Sequence, residues 1–221
     1  MKGFSVAAVI YTIISVALVA GGGYLIISHL PSTALPFSTF SVEERDGYVA
    51  YEPRSYKNSE TKKMVLILPP SDTASDWMKP WQAQADKHGF MLAGITDWTA
   101  EGLQTFVRGG KEEAQVAKMY MSGFSHGGYI SCEFGLKNQD VVDGIIPMGA
   151  FCSDGDLAGS VQRIPILTII GDQDTWALGD DGDNLSTFGR TINTELVMVP
   201  GIGHQFPDQI MARVGDWVAA H

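Results

Sequence analysis

Met119-Tyr-Met-Ser-Gly-Phe-Ser-His-Gly-Gly-Tyr129 decides the fold of this chain. Met119 to Met121 is an apolar run, Gly123-Phe124-Ser125-His126-Gly127 follows it, and Gly128-Tyr129-Ile130-Ser131 opens a helical pattern. The order is strand, sharp turn, helix, with Ser125 at the tip of the turn. A turn that tight excludes bulky side chains beside the serine. Gly123 and Gly127 meet that need, and Gly128 lets the helix approach the strand. A serine so placed carries its hydroxyl beyond the end of a strand and beside the positive end of a helix dipole, where a nucleophile is needed. Gly-x-Ser-x-Gly also arises by chance in Gly-rich loops. The strand before it and the helix after it are the context that gives the pattern weight.

On either side of this stretch the chain alternates strand and helix signals. Tyr48 to Tyr51 is a short strand, and Met64 to Leu68 is apolar throughout, as in a strand covered on both faces. Pro69-Pro70 ends it. Ser75 or Asp76 caps a helix that runs to about Lys87, with Gly89 as its stop. Phe90 to Ile95 is the next strand, and residues 100–117 are helical with an interruption at Gly109-Gly110. Val142 to Met148, Ile164 to Ile170 and Glu195 to Val199 are further strands. Asp208 to Ala220 is a closing helix, with Ile210, Met211, Val214, Trp217 and Val218 on one stripe. The alternation predicts an α/β domain, a mostly parallel sheet with helices on both faces. A chain of 221 residues is long enough for one such domain with a sizeable core.

The elbow residues resemble the nucleophile elbow of the α/β-hydrolases. That resemblance implies an acid and then a histidine downstream. After Ile164 to Ile170 comes Gly171-Asp172-Gln173-Asp174. The family's Gly-x-x-Asp pattern puts the acid at Asp174, with Asp172 as the rival. Without a histidine to follow, both aspartates would merely punctuate a turn. Of five histidines, His29 borders the N-terminal apolar run, His88 ends a helix, His126 adjoins Ser125 and His221 is the last residue. His204, in the loop Pro200-Gly-Ile-Gly-His204, alone has the order and the loop that the resemblance demands. The implied roles are nucleophile for Ser125, general base for His204, and tautomer-setting acid for Asp174.

The same resemblance implies an oxyanion hole. One donor is the N–H of His126; the other follows the strand ending at Leu68. Many family members read His-Gly-x there, whereas this chain reads Pro69-Pro70-Ser71-Asp72. Proline has no N–H, so Ser71 is the expected second donor. Losing one donor typically costs about 2.7–4 kcal/mol of transition-state stabilisation. The resemblance covers residues 45–221 and is strongest to the polyhydroxybutyrate depolymerase and feruloyl esterase-like group, with dienelactone hydrolase-like and carboxylesterase-like proteins close behind. Only 13 residues, Phe151 to Arg163, separate two strands where many lipases insert a lid, so a small lidless hydrolase is expected. The sheet is also expected to lack several N-terminal strands. Trp176 and Phe151 are the substrate-binding candidates, while Trp77, Trp81 and Trp98 read as packing.

The implied activity is hydrolysis of small-molecule carboxylic esters with short acyl groups. A peptidase or thioesterase with the same triad is the alternative, as is a non-catalytic protein that keeps the fold. The chemistry calls for no cofactor and no metal: Asp180-Asp181-Gly182-Asp183 has no calcium-loop spacing, and the two cysteines, Cys132 and Cys152, form no Cys-x-x-Cys. They are two buried thiols or one disulfide.

Residues 43–221 hold 14 basic and 25 acidic side chains, and the whole chain carries −10. A body this acidic argues against nucleic acid as a ligand. Gly3 to Ser28 holds no charged residue, a run longer than the ~20 residues that span a bilayer. A cleaved signal has an apolar region of about 7–15 residues, so residues 1–30 read as an uncleaved anchor, with Ser15-Val16-Ala17 and Ser32-Thr33-Ala34 as weak cleavage candidates. Residues 31–42 read as a linker and 43–221 as the hydrolase domain. Lys2 precedes the run and the next basic residue is Arg45, which places the body outside the cytoplasm, secreted if the segment is cleaved. The oligomeric state is left open.

Overall fold

The computed structural model describes residues 42–45, 48–70, 73–95, 99–157, 159, 161–179 and 194–221. Residues 1–41, on which the anchor and most of the linker fall, lie outside the described residues. Among those described, no helix is long and apolar enough to cross a membrane. Phe40–His221 forms one compact unit.

Eight strands form a single sheet: β1 (Glu43–Arg45), β2 (Tyr48–Tyr51), β3 (Lys63–Leu68), β4 (Met91–Gly94), β5 (Lys118–Phe124), β6 (Gly144–Met148), β7 (Leu167–Gly171) and β8 (Glu195–Val199). Their spatial order is β1-β2-β4-β3-β5-β6-β7-β8. β1 pairs antiparallel with β2 and β2 antiparallel with β4; every later pairing is parallel. The expected loss of N-terminal strands is therefore corrected. β1 is three charged residues, with no apolar alternation to betray it, and it reads as a strand only through its register, Glu43 opposite Ala50 and Arg45 opposite Tyr48. A short charged strand at a sheet edge also discourages pairing with another chain.

Helices cover both faces. α1 (Ala74–Met78) runs through a 3-10 turn (Lys79–Trp81) into α2 (Gln82–His88). These, with α6 (Met211–Ala220), lie on the face to which Val65, Ile67, Tyr120 and Ile146 point. α3 (Ala100–Glu113) and α4 (His126–Lys137) lie on the other, against Met64, Leu66, Leu68, Met119 and Met121. Alternate residues of one strand thus feed two cores, as strand geometry requires.

Several helices differ from the sequence pattern: the closing helix, expected from Asp208, opens with a 3-10 turn (Asp208–Ile210), and the helix expected over residues 100–117 ends at Glu113. α1 starts at Ala74, with Thr73 as a cap residue that makes no side-chain bond, so Ser75 and Asp76 fall inside the first turn. Packing sets this start: a Cβ at Gly94 would come within 2.8 Å of Ala74 Cβ and 2.9 Å of Met78 Sδ. α3 is not interrupted at Gly109-Gly110. Leu103, Phe106, Val107 and Gly110 form a buried face at helical spacing, and that burial outweighs the cost of about 1 kcal/mol that each glycine brings. The expected stop at Gly89 is present, in the left-handed region at φ 70° with its N–H on the Ala85 carbonyl.

Cys132 of α4 and Cys152 after β6 form a disulfide, with Cα atoms 5.0 Å apart and a sequence separation of 20. It ties the helix that follows Ser125 to the loop that carries Phe151. In the chain-entropy account a loop of that length contributes about 3 kcal/mol to stability.

Candidate active site

β5 ends at Phe124 and α4 begins at His126, so Ser125 alone makes the turn. Its backbone sits at φ 54° and ψ −120°, a region that side chains avoid; Gln115 is the only other described non-glycine residue at positive φ. Such a conformation costs of order 1–3 kcal/mol and persists only where the surroundings enforce it. They do so here by contact. The Ser125 N–H donates to the Met148 carbonyl at 2.8 Å, and the Ser125 carbonyl accepts from the N–H groups of Gly128 and Tyr129. A Cβ on Gly123 would lie 2.3 Å from the Gly127 carbonyl carbon, and one on Gly127 would lie 2.1 Å from the Leu68 carbonyl oxygen. The turn therefore admits no side chain at either glycine.

β7 and β8 deliver the partners. Asp174 follows β7 and caps α5 (Thr175–Leu178), accepting from the Ala177 N–H at 3.0 Å. Its carboxylate is 1% exposed, and it meets His204 Nδ1 at 2.9 Å through Oδ2 and 3.0 Å through Oδ1. His204 Nε2 lies 2.9 Å from Ser125 Oγ. The three side chains named from the sequence order thus stand in one hydrogen-bonded line. Asp172 does something else. It is exposed, and its Oδ1 accepts from the Gly201 N–H at 2.8 Å, bracing the loop that carries His204. Gly171 fixes the approach of that loop, since a Cβ there would lie 2.2 Å from the Ile202 carbonyl oxygen.

The imidazole is flanked by rings. Phe124 lies 4.9 Å from it between centroids and Trp176 lies 4.5 Å away. Phe124 is buried, stacked 5.7 Å from Trp77, whereas Trp176 is 55% exposed. Tyr129 meets Trp176 edge-on at 5.7 Å and Phe151 edge-on at 5.8 Å. The two substrate-binding candidates are therefore linked through Tyr129, which sequence reasoning placed only as a helix residue. Its spacing of four from Ser125, one helical turn along α4, was the available signal. Burial raises the Tyr129 phenol above its ordinary value, and the charges of Asp174 and Asp156 add to that, so its hydroxyl keeps its proton at neutral pH.

His126 opens α4, where first-turn N–H groups have no acceptor within the helix. Ser71, the other expected oxyanion donor, lies outside the described residues, as do Trp98 and Asp180 to Asp183. Between Ala150 and Ile164 the described backbone has only a 3-10 turn, Asp154–Leu157. Trp81 is buried in the core. Among the described residues no three His, Cys, Asp or Glu side chains gather as a metal site.

No family model matches the sequence, and no curated protein matches it. Solved structures share its fold. Est1E from Butyrivibrio proteoclasticus is 18% identical with a TM-score of 0.58, over 81% of this chain and 96% of that one. A predicted CIB-like hydrolase from Thermoplasma acidophilum is 19% identical, TM-score 0.59, over 82% and 99%. An S-formylglutathione hydrolase from Agrobacterium tumefaciens is 12% identical, TM-score 0.62, over 81% and 93%. With the sheet order above, these likenesses give the chain the α/β-hydrolase fold.

Proposed function

We propose that this chain is a serine hydrolase that cleaves carboxylic esters with short acyl groups through an acyl-enzyme intermediate. The observation that carries the reading is the line from Ser125 Oγ through His204 to the buried Asp174, with 2.9 Å at each step. Ser125 Oγ attacks the ester carbonyl carbon, and His204 Nε2 takes the hydroxyl proton. Asp174 holds the tautomer with the proton on Nδ1 and stabilises the imidazolium. The N–H of His126, with Ser71 as the expected second donor, receives the oxyanion. The carbon–oxygen bond to the alcohol then breaks, and His204 returns the proton to that oxygen. Water, activated by His204, releases the acid and restores Ser125.

The short connection between β6 and β7 supports the preference for short acyl groups. Each buried CH₂ adds about 0.8 kcal/mol, and a site with no lid at that point has little to bury a long chain against. The test is the specificity constant across p-nitrophenyl esters from acetyl to dodecanoyl, with thioesters and peptide anilides in parallel. A maximum between two and four carbons is the expected result; a maximum at twelve, or a jump in rate above the substrate's solubility limit, contradicts it. Thioesters belong in that panel because an S-formylglutathione hydrolase has this fold.

An outward-facing body held by residues 1–30 completes the reading. Two features support it, the uncharged run from Gly3 to Ser28 and the Cys132–Cys152 disulfide, which forms and persists in oxidising compartments. Protease added to intact cells should reach the body and leave the N-terminus protected. A cytosolic body, or a mature chain beginning near Ala17 or Ala34, contradicts the anchor.

A further inference from the structure

Trp176 is the one exposed Phe, Tyr or Trp among the described residues, and it stands 4.5 Å from the imidazole of His204. An exposed indole is not held there by burial. It is held by its place at the second residue of α5, two residues after the capping Asp174, and by the edge of Tyr129 at 5.7 Å. Among the described residues, the other ring beside the imidazole is Phe124, which is buried, so of these two Trp176 offers the bare ring surface. From Trp176 the aromatic surface continues through Tyr129 to Phe151, both half-buried. The disulfide from Cys152, next in sequence to Phe151, anchors the far end to α4.

General acid catalysis says which part of a substrate meets this surface. The leaving oxygen must come within about 3 Å of the nitrogen that protonates it. That nitrogen is His204 Nε2, and the substituent on the leaving oxygen extends away from it. Resting on the hydrolase reading above, we infer that Trp176, with Tyr129 and Phe151 behind it, forms the leaving-group subsite, and that the preferred esters carry an aromatic alcohol. A planar ring gains from offset or edge-on packing against such a surface beyond what its buried area gives, whereas a saturated ring of similar size gains area alone.

The experiment compares benzyl acetate with cyclohexylmethyl acetate, whose alcohols are alike in acidity and bulk, and methyl phenylacetate with methyl cyclohexylacetate, which move the same rings to the acyl side. The expected ratio of specificity constants in the first pair is about three to ten in favour of benzyl, the size of an aromatic contact, with a ratio near one in the second pair. Trp176→Leu should bring the first ratio to about one, acting mainly through KM, while Trp176→Phe and Tyr129→Phe retain the preference. Measurable hydrolysis with a wild-type ratio of one, a ratio untouched by Trp176→Leu, or an aromatic preference confined to the acyl pair overturns the subsite and leaves the hydrolase reading standing. No hydrolysis of any of the four esters overturns both.

Discussion

Two histidine–aspartate pairs lie at opposite ends of this sheet. His204 Nδ1 is 2.9 Å from Asp174 Oδ2 beyond the C-terminal strand ends. His88, at the end of α2, has Nε2 3.0 Å from Asp216 Oδ1 of α6. The residue types match and the distances differ by 0.1 Å, yet the settings do not match. Asp174 is sealed from water and its other partner is a backbone N–H, so its charge is directed at one imidazole. Asp216 has a side chain 62% exposed and also pairs with Lys87 at 2.8 Å, so solvent and a second cation dilute its pull. His88 Nε2, though close to Asp216, lacks the alignment of a hydrogen bond. Burial lowers the His88 pKa, the charge of Lys87 lowers it further, and Asp216 only partly opposes them. The remaining nitrogen of His204 faces Ser125 Oγ. On the proposed reading, a histidine beside an aspartate serves as general base when the acid is buried and the far nitrogen meets a group with a proton to give; proximity alone does not suffice.

Breaking each pair should expose that contrast. His204→Ala is expected to cut turnover on the order of 10⁶-fold, as does Ser125→Ala, because the two groups act as one unit. His88→Ala should leave turnover within about twofold, since His88 lies at the other end of the sheet from Ser125. A large loss from His88→Ala in a folded protein would erase the distinction. Asp174→Asn should cost about 10⁴-fold, since the amide imposes the wrong tautomer on His204. Asp172→Asn keeps an acceptor for the Gly201 N–H and should cost less than about tenfold. The reverse order would move the acid to Asp172.

Smaller effects sharpen the account. Reducing the Cys132–Cys152 bond should lower stability by about 3 kcal/mol, or roughly 6–12 °C in Tm for a domain of this size, read by thermal denaturation with and without reductant. An unchanged Tm would mean that the tie contributes nothing. The smallest effect belongs to His88. Its folded pKa lies below the ordinary 6.5, so the unfolded chain binds the proton more readily. The stabilisation is complete above pH about 6.5 and is lost as pH falls through the folded value. His88→Gln should flatten the fall in Tm below that pH. A slope identical to wild type would contradict the assignment.

The strands and the elbow were legible because their signals are local. Five buried residues in a row, Met64 to Leu68, can only be a strand covered on both faces, and three glycines around Ser125 leave little other geometry. Asp174 and His204 were legible only through the resemblance to the α/β-hydrolases, which implies an acid and then a histidine after successive strands; the apolar run alone leaves Asp172 as a rival. What escaped the sequence depends on partners distant in the chain. β1 is defined by its register on β2, and α3 passes through Gly109-Gly110 because Leu103, Phe106 and Val107 are buried against the sheet. α1 starts where Ala74 and Met78 fit against Gly94. The pairing of Cys132 with Cys152 was open because Cα separation cannot be read from spacing. Tyr129 stayed unnoticed because its importance lies in Phe151 and Trp176, 22 and 47 residues away in the numbering.

The proposed function stands or falls with Ser125 as a nucleophile activated by His204 and Asp174. Incubation of the protein with a fluorophosphonate, followed by intact-mass and peptide-mass analysis, tests it most directly. The phosphonyl group is expected on Ser125 alone, at one per chain, with labelling abolished in Ser125→Ala and strongly slowed in His204→Ala. A folded protein that takes up no label, or takes it up at another residue with Ser125 unmodified, would contradict the account.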